Sequence, residues 1–274
     1  MISLDLVDLH VHTYRCHHAK GTAEDMIKSA IQKGLKAIGI NDHFPMRYLP
    51  APIPVQDYAM ELSEAPDHVK ELKQLREKYK GKIDVLIGFE VDFYQPAIDT
   101  IKRSIEPFLD DFDYLYGSVH VVRGFPVDDE KFLAKWAEQD VDSVFVEYYQ
   151  TLVKMANTRL FDIVGHFDLP KKYKKVPSGN LDKQIQTALD AIHSAGMAME
   201  INTAGLRKPI GEIYPSRHIL DMAFMKSIPI TLGSDAHDPA EVGHEFGKAV
   251  ALAKQVGFTS ILSFEKRRPA TISL

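Results

Sequence analysis

Two histidines one residue apart, His10-Val11-His12, close the first apolar run of the chain. Side chains alternate along an extended strand, so Asp8, His10 and His12 point the same way. Two imidazoles on one face near a carboxylate suit zinc, manganese or iron. The same residue types recur after later apolar runs: Asn41-Asp42-His43, Glu90, His120, His166 and the stretch Gly233-Ser234-Asp235-Ala236-His237. One histidine at a strand end is an ordinary packing or surface residue. Recurrence at the same end of successive strands is what points to a shared metal site.

The elements that must position these groups alternate between strand-like runs and helical ones. Strands are expected at 4–11, 37–40, 83–91, 114–121, 161–166, 197–201 and 228–232, with a last short one at Ile261 and Leu262. Helices are expected near 22–33, 57–79, 97–108, 141–157, 181–194, 216–225 and 240–256. Gly34 and Gly196 stop two of them. The Pro-rich segment Pro45 to Pro54 can be neither helix nor central strand, so it is a loop and a candidate lid. About seven strand-helix units in one run imply parallel strands with right-handed crossovers. No Gly-x-Gly-x-x-Gly follows the first strand, which disfavours a dinucleotide-binding sheet. A barrel places its strand ends, and hence these residues, at one mouth.

The composition fits residues 1–274 as one α/β barrel domain: 274 residues, 45% hydrophobic and 26% charged. The net charge of −5, with both signs interspersed, gives no electrostatic case for nucleic acid or a membrane surface. Cys16 is the single cysteine, so no intrachain disulfide forms. The N-terminus lacks a signal-peptide pattern, and a cytoplasmic location is expected. Oligomeric state is not readable.

The stretches DLHVHT, His18 six residues after His12, NDH, GFEVD, GSVH, VGHFD and LGSDAH resemble the successive motifs of the PHP (polymerase and histidinol phosphatase) superfamily. Tyr116 to His120 and Glu200 to Pro209 are similar to its histidinol-phosphate phosphatase branch. The resemblance implies a distorted (β/α)7 barrel with its metal site at the C-terminal ends of parallel strands. It also implies nine ligands for two to three divalent Zn, Mn or Fe ions. His10, His12, Glu90 and Asp235 would hold one, and Glu90 would bridge to a second completed by His120 and His166. A third would sit among His18, His43 and His237.

The implied activity is hydrolysis of L-histidinol phosphate, a small-molecule ester, in histidine biosynthesis. Clustered cations lower the pKa of bound water to about 7 and polarise phosphoryl oxygens, so hydroxide can attack phosphorus in line. Glu90 and Asp235 are the candidate catalytic residues. The donor of the leaving-group proton is not readable; Asp235 or a bound water could serve. For the substrate's phosphate, Arg207 can offer a bidentate fork and Lys172 a second cation. Asn202 could order the site or contact substrate. The alternatives are a PHP phosphoesterase acting on nucleotides or nucleic-acid ends, and an inactive metal-binding scaffold. His68, His193, His218 and His244 end no strand and are expected on the surface or in packing.

Overall fold

The apolar runs form strands, and the amphipathic runs helices, in a computed structural model that describes residues 5–274. Leu4, the expected start of the first strand, lies outside the described residues. The first half runs β1 (Val7–Asp8), α1 (Ala23–Gln32), β2 (Ala37–Ile40), α2 (Ala65–Tyr79), β3 (Asp84–Asp92), α3 (Ile98–Ile105) and β4 (Tyr114–Ser118). A small hairpin, β5 (Val121–Val122) and β6 (Phe125–Pro126), interrupts the alternation. Then follow α4 (Leu133–Trp136), α5 (Val141–Asn157), β7 (Ile163–Val164), α6 (Asp182–Ala195) and β8 (Ala198–Asn202). The chain ends with α7 (Arg217–Met225), β9 (Ile230–Gly233), α8 (Phe246–Val256) and a hairpin of β10 (Ser260–Glu265) and β11 (Arg268–Ser273).

Seven parallel strands pair in the order β1-β2-β3-β4-β7-β8-β9. The amide of Leu9 donates to the Leu232 carbonyl at 3.0 Å, and that of His12 to Ala236 at 2.9 Å. These bonds bring the end of β9 back against β1, giving the expected distorted barrel. Its interior is filled by Tyr114, whose hydroxyl donates across to the Leu9 carbonyl at 2.9 Å. The ring fits because β2 and β3 present glycines to it: a Cβ on Gly39 would lie 1.9 Å from the Tyr114 hydroxyl, and one on Gly88 2.6 Å from the ring.

Several boundaries differ from expectation for local reasons. Residues 55–57 and 62–64 form single 3-10 turns, and α2 begins only at Ala65, with Pro66 in its first turn where no amide donor is needed. Helix α8 begins at Phe246 because Gly243, at φ +62, turns the chain ahead of it. Val121 belongs to the β5–β6 hairpin rather than to β4. Ile261 and Leu262 lie in the antiparallel terminal hairpin. At the start of α1, Thr22 and Asp25 form a reciprocal capping box. Residues 45–54 contain no helix or strand, and Met46, Leu49 and Ile53 pack with Ala59 and Val121 in a satellite apolar cluster.

Candidate metal centre

The barrel mouth gathers the strand-end residues. The backbone stays extended past β1 through a bridge between Val11 and Ala236, which places His10 and His12 beside Asp235. A second bridge pairs His43 with Glu90. His120 and His166 lie two residues beyond β4 and β7. His18 follows the short turn Tyr14–Cys16 and reaches the group from the outside, while neighbouring His17 turns away to the Gln56 carbonyl.

Glu90 sits at the middle, 1% exposed. Its Oε2 lies 3.2 Å from His10 Nε2, 3.3 Å from His12 Nε2 and 3.3 Å from His43 Nδ1. Its Oε1 lies 3.0 Å from His166 Nε2 and 3.6 Å from His120 Nε2. Asp235 Oδ1 faces His12 Nε2 at 3.4 Å and His237 Nδ1 at 3.5 Å. The Nε2 atoms of His18 and His237 face each other at 3.0 Å. All nine expected ligands therefore converge. Ligand atoms lie close enough to share one ion in four groups: His10, His12 and Asp235; His43, Glu90 and His120; His12, His43 and His237; and His12, Cys16 and Asp42. His12 is shared among three of these groups and His43 between two, so the groups overlap at residues other than the bridging Glu90 that the resemblance implies.

The residues fit divalent cations. His10 Nε2, His12 Nε2 and His43 Nδ1 are buried and make no hydrogen bond, an arrangement that a coordinated cation would satisfy. Burial alone would raise the carboxyls of Glu90 and Asp235, yet the surrounding imidazoles, His43 and His10 foremost, hold both well below the usual range. Burial pushes His43 and His237 well below the ordinary histidine value. Against burial, Asp92 and Glu90 raise His120 to about 10.

Behind the cluster stand outer partners, a role that the sequence reading did not assign to them. Asp92 Oδ1 lies 2.8 Å from His120 Nδ1. Glu200 Oε1 lies 2.6 Å from His10 Nδ1. Cys16 Sγ lies 3.3 Å from His12 Nδ1 and donates to Asp42 at 2.9 Å. The signal for Asp92 was available, since it follows Glu90 by two residues on one strand and so shares its face. Asp8, although on the face of His10, is turned to β9 and accepts from the amide and hydroxyl of Ser234. Of the remaining histidines, His68 is buried 3.3 Å from Asp42, and His218 is exposed beside Asp182.

A cavity of about 370 Å³ opens above the cluster, with His43, Glu90, His120, His166, Asp235 and His237 in its floor. Lys172, Lys208, Asp128 and Tyr58 stand in its wall, as do Met46, Leu49 and Ile53 of the Pro-rich loop. Lys172 Nζ donates to Asp128 at 3.1 Å, which holds this cation at the cavity wall. Arg207 is not in the lining. Its Nη2 donates to the carbonyls of Ser234 and Asp235 at 2.9 and 3.0 Å, and its Nε faces Glu241 at 3.2 Å. That fork braces the loop carrying Asp235, and the neighbouring Lys208 lines the cavity instead. Asn202 is fully buried; its Nδ2 donates to Glu200 at 3.1 Å and to Asp235 at 3.3 Å. It is not among the residues lining the cavity.

A sequence model of the PHP domain matches residues 8–204. A Deinococcus radiodurans protein named "Probable histidinol-phosphatase" is 36% identical over 96% of this chain and 98% of its own length. The Bacillus subtilis histidinol-phosphatase is 28% identical over 87% of this chain and 96% of its own. The solved histidinol phosphate phosphatase of Lactococcus lactis, in complex with zinc, L-histidinol and phosphate, superposes with a TM-score of 0.79. That structure is 23% identical and covers 98% of this chain and 100% of its own. Among the described residues no helix is long and apolar enough to cross a membrane.

Proposed function

The chain belongs to the PHP domain family, and from that premise we propose that it hydrolyses L-histidinol phosphate to L-histidinol and phosphate in histidine biosynthesis. The observation that carries the proposal is the Glu90 carboxylate, which has histidines against each of its oxygens at the floor of a cavity lined by Lys131, Lys172 and Lys208. The names of relatives aligned along nearly the whole chain narrow the ester to histidinol phosphate.

Two or three zinc, manganese or iron ions, held by His10, His12, Glu90 and Asp235, by Glu90, His120 and His166, and by His18, His43 and His237, would supply activated water and neutralise phosphoryl charge. The remaining work falls to the chain. Glu90 ties the histidines of β1 to those of β4 and β7, so both sides of the reacting phosphate keep one geometry. Asp235 brings its carboxylate from the cluster to the cavity floor, steadied by Asn202 and by the grip of Arg207 on its carbonyl. Lys172, oriented by Asp128, can meet a phosphate oxygen with a charge-assisted hydrogen bond. In the overall reaction one oxygen–phosphorus bond forms from water and the ester bond breaks. The alcohol leaves with one proton and the phosphate takes the other.

The test is phosphate release from L-histidinol phosphate by zinc-, manganese- or iron-loaded protein, beside nucleotides and an aryl phosphate. Strong preference for histidinol phosphate, abolished by a chelator, is expected. Turnover of the other esters alone would keep the centre and overturn the substrate. No turnover at full metal occupancy would leave a metal-binding scaffold.

A further inference from the structure

Glu200 lies at the middle of β8 with its side chain fully buried, and among the described residues no lysine or arginine pairs with it. Burying a carboxylate costs several kcal/mol, so the groups around it identify what it serves. Oε1 lies 2.6 Å from His10 Nδ1. Oε2 accepts from the His166 amide at 2.9 Å and from Asn202 Nδ2 at 3.1 Å. One carboxylate therefore touches residues that hold both halves of the metal centre, and through Asn202 it is tied to Asp235 as well.

The barrel makes room for it at a neighbouring strand. A Cβ on Gly233 would lie 1.9 Å from Glu200 Oε1 and 2.7 Å from the Cβ of His10. Glycine at the end of β9 is thus what lets this carboxylate reach the back of His10.

We propose that Glu200 is a positioning residue that keeps the proton of His10 on Nδ1, so that Nε2 presents its lone pair to the metal beside Glu90 and Asp235. It acts through His10 and does not touch substrate. Carboxylates behind ligating histidines fix the tautomer and raise ligand basicity, and their loss weakens metal binding about 10- to 100-fold. Glutamine cannot replace Glu200 here. With its oxygen toward His10, its NH2 meets two donors, the His166 amide and Asn202 Nδ2. Turned around, it donates to His10 Nδ1 and moves the ring proton onto the ligating nitrogen.

The inference rests on the metal-site part of the proposed function, and its experiment reads zinc rather than turnover. Zinc affinity of the full chain is measured by chelator competition for wild type and Glu200→Gln, with circular dichroism to check folding. About 10- to 100-fold weaker zinc binding by folded Glu200→Gln is expected. Equal affinity would overturn the proposal. Should the variant fail to fold, long-range 1H–15N spectra of zinc-loaded wild-type protein decide instead: a proton on His10 Nδ1 supports the inference, and one on Nε2 overturns it. Wild type that binds zinc but ignores histidinol phosphate would sink the substrate and leave the role of Glu200 standing.

Discussion

Glu90 is the residue whose loss reaches furthest, because its two oxygens face different sets of histidines. Glu90→Gln should therefore lower bound metal at two positions together. kcat/KM should fall about 100-fold or more, roughly 2.7 kcal/mol of transition-state stabilisation. His18→Ala, at the exposed rim of the cluster, should lose less metal; equal metal content in the two variants by elemental analysis would contradict a bridging Glu90. The two basic candidates separate in the same way. Lys172→Ala should raise KM about tenfold, the effect of losing one charge-assisted hydrogen bond to bound phosphate. Arg207→Ala should show mainly in denaturant unfolding, about 1–3 kcal/mol, because it leaves the carbonyls of Ser234 and Asp235 without their donor. A KM effect of Arg207→Ala as large as that of Lys172→Ala would restore the arginine as the phosphate contact.

Strands place the ligands, and helices hold the strands against one another. Their existence was legible because alternation and helical periodicity are local properties, as in the run Ala37–Ile40 and the capped helix α1. Strand ends were less legible, since β7 pairs over Ile163–Val164 alone although apolar character begins earlier. Within the barrel, Gly39 and Gly88 leave the space that Tyr114 fills. Gly39→Ala should destabilise the fold by about 1–3 kcal/mol through overpacking, read as a lower urea midpoint. An unchanged midpoint would mean that the ring is not wedged there. At the surface, Glu24 joins α1 to α2 through Lys78 and Tyr79. Lys78 first, then Tyr79 and Lys28, hold its carboxyl at about 2 against an ordinary 4.5. A depressed carboxyl stabilises the fold above its unfolded value and loses that contribution as pH falls from 4.5 toward about 2. Glu24→Gln should therefore be slightly less stable than wild type at neutral pH, with the gap narrowing across that window. A gap that stays constant with pH would remove the ion pairs from the account.

Across the whole molecule the centre is also a cross-link. Its candidate ligands come from positions 10 to 237 and meet only because β9 returns to β1. Cations bound there stabilise the folded chain by mass action, about 4 kcal/mol at a free concentration 1,000 times the dissociation constant. Stripping metal should lower the melting temperature by several degrees, with recovery on adding zinc. A melting temperature indifferent to zinc would mean that the ligands are held equally well without it.

By itself the sequence determined the alternation of strands and helices, the strand-end position of eight of the nine ligand candidates, all but His18, and the family they resemble. Each depends on residues close together in the chain, where covalent geometry sets which side chains share a face. Only the tertiary structure decided what happens across long separations. His10 and Glu200, 190 residues apart, meet behind the centre. Arg207 turns inward to backbone carbonyls while Lys208 takes the cavity wall. His12 joins three ligand-atom groups and His43 two. Those outcomes follow from how the barrel closes and how tightly its interior packs, and strand closure is a property of all seven strands together rather than of any local spacing.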